Sequence, residues 1–312
     1  MAVAATAKPP RPALNQMATA AVDGARHLGF AMIFLAPSLI IFGVFIFYPL
    51  IKSVYLGFFE TDPFGRTGPF VGTDQYQEVL TSEDFRHALW VTFLFSLYVV
   101  PTGMLLGLGL ALLANQRLRG ITLFRTIFSS TVATSVAVAA VMWLTLLNPS
   151  IGVLNYILEQ LTLPRIQWLT DPDWALLAVS LTTIWLNLGL TFIIILAGLQ
   201  SIPEQLYESA KIDGAGRWSS FWNVTLPMLS PTLLFVFVIS TIFALESFGQ
   251  IHILTQGGPL DATTVIVYRI YRDGFVFQNW GVAATQAIAL FILVLALTGV
   301  QFRFLERRVF YG

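Results

Sequence analysis

The chain contains no cysteine. That excludes disulfides, cysteine-ligated iron–sulfur clusters and cysteine-type zinc sites. Charge is scarce as well. Only 11% of the 312 residues are charged, against about 25% in soluble domains. So few ionisable side chains could not cover the surface of a soluble fold this long, which excludes an ordinary cytosolic enzyme and a disordered chain. Seventeen basic residues balance 17 acidic ones, so there is no net charge to draw nucleic acid. The three histidines, His27, His87 and His252, lie far apart, and no H-E-x-x-H occurs. No metal site and no catalytic cluster is expected. Glycine is never followed by lysine, so the chain has no Walker A loop and no nucleotide site of that kind.

What fills the chain instead is apolar: 56% of residues are hydrophobic and the mean hydropathy is +0.75. Six stretches carry no ionisable residue: Leu28 to Ile51, Ala88 to Asn115, Thr126 to Asn148, Trp174 to Gln200, Met228 to Leu245 and Val282 to Phe302. A helix needs roughly 20 residues to cross about 30 Å of hydrocarbon. The pattern therefore predicts an all-α membrane protein with six transmembrane helices. The first stretch is too long for a signal peptide and lacks a small-x-small site after it, so it reads as a retained span over 28–52. Residues 1–27 read as an N-terminal tail, 85–303 as a core of five spans, and 304–312 as a C-terminal tail. With the N-terminus inside, eleven Lys/Arg fall in inside segments and six outside. This bias predicts both termini in the cytoplasm.

The outside loops 60–74 and 255–264 are rich in Gly, Pro and Asp, a loop composition. Residues 265–275 read as a short re-entrant or interfacial helix. Uncharged polar groups inside or beside the spans have two readings: helix–helix hydrogen bonds, or a pathway that meets a hydroxylated solute. The residues concerned are Trp185 and Asn187 midway in the fourth span, Glu246 and Gln250 at the outer end of the fifth, and Gln286 at the start of the sixth. Arg269 and Arg272 lie three apart and share a helix face at the outer mouth. They read either as a guide for a phosphate or as a pair at headgroup level. Gly103 and Gly107 form a small-xxx-small pair for close helix packing.

The segment 200–227, QSIPEQLYESAKIDGAGRWSSFWNVTLP, is long for a connection between helices. Ser201 and Glu204 fit a capping box with Pro203 in the first turn, so a helix is expected to run to about Ile212. Gly214 and Gly216 should break it, with positive φ in the turn. A second short helix bearing Trp218, Phe221 and Trp222 is expected along the membrane surface before Pro227.

This segment resembles the EAA loop of binding-protein-dependent ABC importer permeases. Glu208, Ser209 and Ala210 stand at its E-A-A positions, with Ser for the central Ala. Asp213, Gly214 and Ala215 match its D-G-A, and Leu226 and Pro227 its L-P. The resemblance implies a type I importer permease fold whose loop at 201–227 is a cytoplasmic coupling helix. The ATPase-coupling residues it implies are Glu208, Ser209, Ala210, Asp213, Gly214 and Ala215. It also implies a second homologous permease as heterodimer partner, two copies of an ABC ATPase that hold ATP and Mg, an extracytoplasmic solute-binding protein, and a bacterial inner-membrane location. No cofactor and no metal are implied for this chain itself. The runs Asp62-Pro63-Phe64-Gly65, Phe70-Val71-Gly72, Gln200-Ser201-Ile202-Pro203, the block at 257–275 and the tail at 301–311 resemble the glycerol-3-phosphate branch. A sugar or sugar alcohol is the alternative solute. A secondary carrier or channel would need inverted halves or intramembrane ion ligands, and neither is evident.

Overall fold

A computed structural model describes residues 32–116, 118–306 and 309. The expected N-terminal tail, residues 28–31 of the first span, and Arg117, Arg307 and Arg308 lie outside the described residues. The chain divides into a unit ending at Tyr55 and a larger unit from Leu56 onward. Helix α1 (Met32–Leu56), in the first unit except for its last residue, is long and apolar enough to cross a membrane. It holds a π turn at Gly43–Phe47.

The larger unit opens with a hairpin, β1 (Phe59–Thr61) and β2 (Thr67–Phe70), paired antiparallel. The sequence had indicated only a loop there. Asp62 closes its turn by accepting hydrogen bonds from the Phe64 and Arg66 amides at 3.0 and 2.7 Å, and Gly65 supplies the positive φ of +75°. Helix α2 (Asp74–Thr81) follows. Ser82 then caps α3 (Glu83–Ala114), accepting from the Phe85 amide. The cap explains why α3 begins five residues before its uncharged stretch does.

The third span is broken. Helix α4 (Ile121–Ala133, its last turn a 3₁₀ turn) and α5 (Val136–Leu146) meet at 105°. The cause is local. Thr134 and Ser135 are both extended, and the Ser135 hydroxyl caps α5 at Val138. Hydroxyl side chains compete with the helix for its own backbone groups, and 129–135 (SSTVATS) is full of them. Beyond α5 lie α6 (Val153–Gln160) and α7 (Pro172–Gln200), the latter capped by Asp171 with Pro172 in its first turn. On α6, Asn155 is buried and satisfied at both ends of its amide, pinning the loops on either side of the helix. It donates to the Pro149 and Ile166 carbonyls and accepts from the Ile166 amide and the Trp168 indole.

Helix α8 (Glu204–Ile212) precedes α9 (Arg217–Leu245). Two expectations fail here. Ser201 forms no capping box, because its hydroxyl donates to the Gly198 carbonyl at 2.8 Å and Pro203 stands at the cap of α8. The aromatic residues Trp218, Phe221 and Trp222 do not form a separate surface helix. They occupy the first turns of α9, which runs on through a π turn at Phe221–Thr225. Nothing between Arg217 and Pro227 ends the helix, and Pro227 follows directly on the π turn, where the helical bonding pattern is already shifted.

After α9 come α10 (Gly249–Leu254), α11 (Ile266–Tyr271, continued by a π turn at Arg272–Val276) and α12 (Trp280–Leu305). The segment between α9 and α12 is no surface loop. Ile251, Val265 and Ile266 are fully buried. Ile251, Val265 and Tyr268 share one core with Phe95 of α3, Trp143 of α5 and Val179 of α7. A short helix is present over the stretch expected to be re-entrant or interfacial, as α11, and α10 packs into the same core.

Helix α7 is the hub, and small residues let its neighbours approach. A Cβ on Gly107 of α3 would meet Thr191 Cγ2 at 2.5 Å, one on Gly198 would meet Thr232 Oγ1 of α9 at 2.5 Å, and one on Gly189 would strike Thr131 of α4. The Gly189 amide donates to Thr131 Oγ1 at 2.9 Å. Gly107 thus does what its spacing indicated, whereas Gly103 has no atom within 4 Å of its Cβ position.

Candidate functional site

Two places carry chemistry. The first is α8 with the turn that ends it. The Gly214 amide donates to the Lys211 carbonyl at 3.1 Å and the Ala215 amide to the Ala210 carbonyl at 2.8 Å, with Gly214 at φ +79°. These are the two bonds of a Schellman motif. Ala210 is therefore the carbonyl on which the turn closes, and Gly214 the residue that reverses the backbone. Gly216 is extended rather than positive in φ, so one glycine makes the turn. Glu208, Ser209 and Asp213 are exposed, while Ala210 and Ala215 are half-buried. The Asp213 carboxylate caps neither the turn nor the following helix, whose cap is Gly216. Two apolar side chains of the same helix are exposed as well, Leu206 and Ile212, the latter 86% exposed. Tyr207 braces the helix from behind through a hydroxyl contact of 3.1 Å to Thr225 of α9. Neither Tyr207 nor Ile212 stood out in the sequence. Together these contacts give a short, rigid projection with an apolar tip and an acidic rim.

The second is the polar interior, and the expected pathway residues separate into two sets. Asn187 faces a small cavity between α3, α7 and α9, about 20 Å³ in volume, shared with Thr191 and Ser240. That is room for about one water molecule. Gln250 is buried, and its amide donates to Thr183 Oγ1 at 3.0 Å and Ser247 Oγ at 3.1 Å. Trp185 packs edge-on against Trp143, ring centroids 6.1 Å apart. Glu246 ends α9 and is exposed.

Arg269, Arg272 and Gln286 lie in a separate ionic cluster. Arg269 pairs with Asp84 of α3 and with Asp273, both at 2.9 Å. Gln286 donates to the same Asp273 at 2.7 Å, and Asp273 is only 4% exposed. Arg272 pairs with Asp261 at 2.6 Å, and Thr264 donates to that carboxylate too. Burial raises the pKa of Asp261, but the bonds from Arg272 and Thr264 outweigh it and hold the carboxyl below its usual range. Both arginines are engaged by carboxylates, so a phosphate drawn to them competes with Asp84, Asp261 and Asp273. The acids were not singled out in the sequence, although Arg269 and Asp273 stand at an i,i+4 spacing that announces a pair. Among the described residues no three His, Asp or Glu side chains cluster as metal ligands.

A family model described as "binding-protein-dependent transport system inner membrane component" matches residues 103–311. The chain belongs to this family. It is therefore a transport subunit of the inner membrane. Among its relatives is the sn-glycerol-3-phosphate transport system permease protein UgpA of Agrobacterium fabrum (strain C58 / ATCC 33970). The two are 40% identical over 280 residues, covering 89% of this chain and 94% of that protein. UgpA of Yersinia pestis is 36% identical over 278 residues, covering 88% and 93%. Of solved structures, a bacterial alginate ABC transporter in complex with alginate pentasaccharide-bound periplasmic protein matches with a TM-score of 0.81. It is 27% identical, over 93% of this chain and 98% of that one. The fold is that of the type I ABC importer permeases.

Proposed function

We propose that this chain passes sn-glycerol 3-phosphate or glycerophosphodiesters from an external binding protein to the cytoplasm by alternating access. It does so as one half of a permease heterodimer. ATP and Mg are held by two copies of a separate ATPase, and this chain has no nucleotide site of its own. The lysine and arginine bias supports a cytoplasmic position for both termini and for α8. There α8 inserts into the ATPase as the coupling helix. Ile212 and Leu206 fill an apolar cleft, and Glu208 and Asp213 meet basic groups at its rim. Closure of the ATPase pair moves α8, and the Schellman turn and Tyr207 transmit the movement to α9 as a rigid body. Solute and ATP act at different sites, so the coupling is allosteric in the strict sense. Trp185, Asn187, Glu246 and Gln250 line the pathway.

The observation that carries the solute assignment is the 40% identity to UgpA over nearly the whole of both chains. A sugar or sugar alcohol is the second reading, favoured by the match to the alginate transporter. The test is the ATPase rate of the assembled importer with its binding protein, given glycerol 3-phosphate, a glycerophosphodiester or maltose in separate runs. Stimulation by the two glycerol phosphates alone is expected. Stimulation by maltose alone moves the chain to the sugar branch.

A further inference from the structure

Glu246 sits at an unusual depth. The bonds from Gln250 to Thr183 and Ser247 hold the end of α9 beside Thr183. At 1.5 Å per residue, Thr183 lies about 16 Å from the first residue of α7 and about 25 Å from its last. Because α7 crosses the membrane, that level falls within about 30 Å of hydrocarbon. Helix α9 thus stops inside the membrane, and the re-entrant α10 and α11 fill the level above it. Its last side chain is a carboxylate exposed on this subunit. Among the described residues Glu246 makes no ion pair and no side-chain hydrogen bond.

A carboxylate at this depth needs a counter-ion or water. Among the described residues no cation pairs with it: none of the six apolar stretches contains Lys or Arg, Arg269 and Arg272 are bound to acids elsewhere, and Arg86, in the groove that Leu245 also lines, stands in the first turn of α3. A phosphate crossing the same level meets the mirror problem. It needs a cation, whereas the charged group that this chain presents at the end of α9 is Glu246.

We propose that Glu246 is the counter-ion of a lysine or arginine contributed by the second permease subunit, and that the solute's phosphate takes over that cation during passage. The inference rests on the phosphate-ester reading above. Glu246 keeps the partner's cation paired while the pathway is empty. As the phosphate leaves, Glu246 reclaims the cation and so speeds release.

The test uses the complete importer in liposomes, with uptake of glycerol 3-phosphate as readout. Glu246→Gln is expected to lower the maximal rate at least tenfold without raising the half-saturating concentration, because the anion then leaves an unopposed cation slowly. Glu246→Cys introduces the only thiol in this chain. Its adduct with a sulfonatoethyl thiosulfonate reagent is expected to restore transport, and its aminoethyl adduct is not. A hydrogen-bonding role alone predicts that Gln suffices. Wild-type uptake by Glu246→Gln, or recovery with both adducts, overturns the proposal. A second measurement uses no solute: in detergent, Glu246→Gln is expected to lower the temperature at which the two permeases separate, and an unchanged temperature overturns the pair. An importer indifferent to glycerol 3-phosphate overturns the proposed solute, and the heating experiment then still decides the pair.

Discussion

The turn after α8 and the re-entrant segment between α9 and α12 solve opposite problems. The turn is exposed and built from bonds between residues three to five apart, such as Ala215 to Ala210. The re-entrant segment is buried and held by bonds across the chain. Arg269 reaches Asp84, Gln250 reaches Thr183, and the Ile266 amide donates to Thr92 Oγ1 at 2.9 Å. A projection that must move against a partner keeps its shape through local geometry and needs little of the core. A plug buried among helices must draw its polar partners from those neighbours, and it does so incompletely: His252 Nδ1 and Arg272 Nε find none among the described residues. The two regions should therefore fail differently: the turn should lose coupling while the fold survives, and the plug should lose the fold.

The largest effect is expected at Gly214. Proline there fixes φ near −65° and removes the amide that bonds Lys211, so Gly214→Pro should abolish ATP-driven uptake. The variant should still assemble in the membrane at the wild-type level, measured by co-purification with its partners. Normal uptake would remove the coupling role of the turn. Next is Asp273→Ala, which strips a buried partner from Arg269 and Gln286. Breaking a buried pair costs about 3–5 kcal/mol, so the thermal midpoint in detergent should fall sharply; an unchanged midpoint would mean that the cluster does not hold the plug. Gly107→Ala presses a methyl against Thr191 and should cost about 1–3 kcal/mol, read from the same midpoint. Gln250→Leu, which removes two neutral hydrogen bonds worth about 1 kcal/mol each, should cost about the same, read again from the midpoint.

The same contrast explains what the sequence made legible. The α8 turn was readable because its rules are local: a glycine after the last helical residue predicts the reversal. The spans were readable because apolar length is a direct signal, and Gly107 announced its close approach to Thr191. The bend at Thr134–Ser135 lay hidden in an uncharged stretch that satisfied the length rule, although its run of hydroxyls was the clue. The depth of Glu246 was not legible at all. A charge beside an apolar run reads as the membrane edge, and it is the bond from Gln250 to Thr183 that sets the end of α9 beside the eleventh residue past the start of α7, which is the ground for the depth proposed above. The arginines misled for a related reason. Their shared face was visible, but Asp84 lies 185 residues from Arg269 and no local pattern joins them.

The most direct test of the coupling account is the reactivity of Ile212→Cys, the only thiol in this chain and at an exposed position. It would be probed with a membrane-impermeant thiol reagent in inside-out vesicles, with the ATPase subunits bound and after they are stripped away. The account predicts rapid labelling in stripped vesicles and strong protection once the ATPase is restored. Labelling that ignores the ATPase, or that occurs only from the opposite side of the membrane, would contradict it.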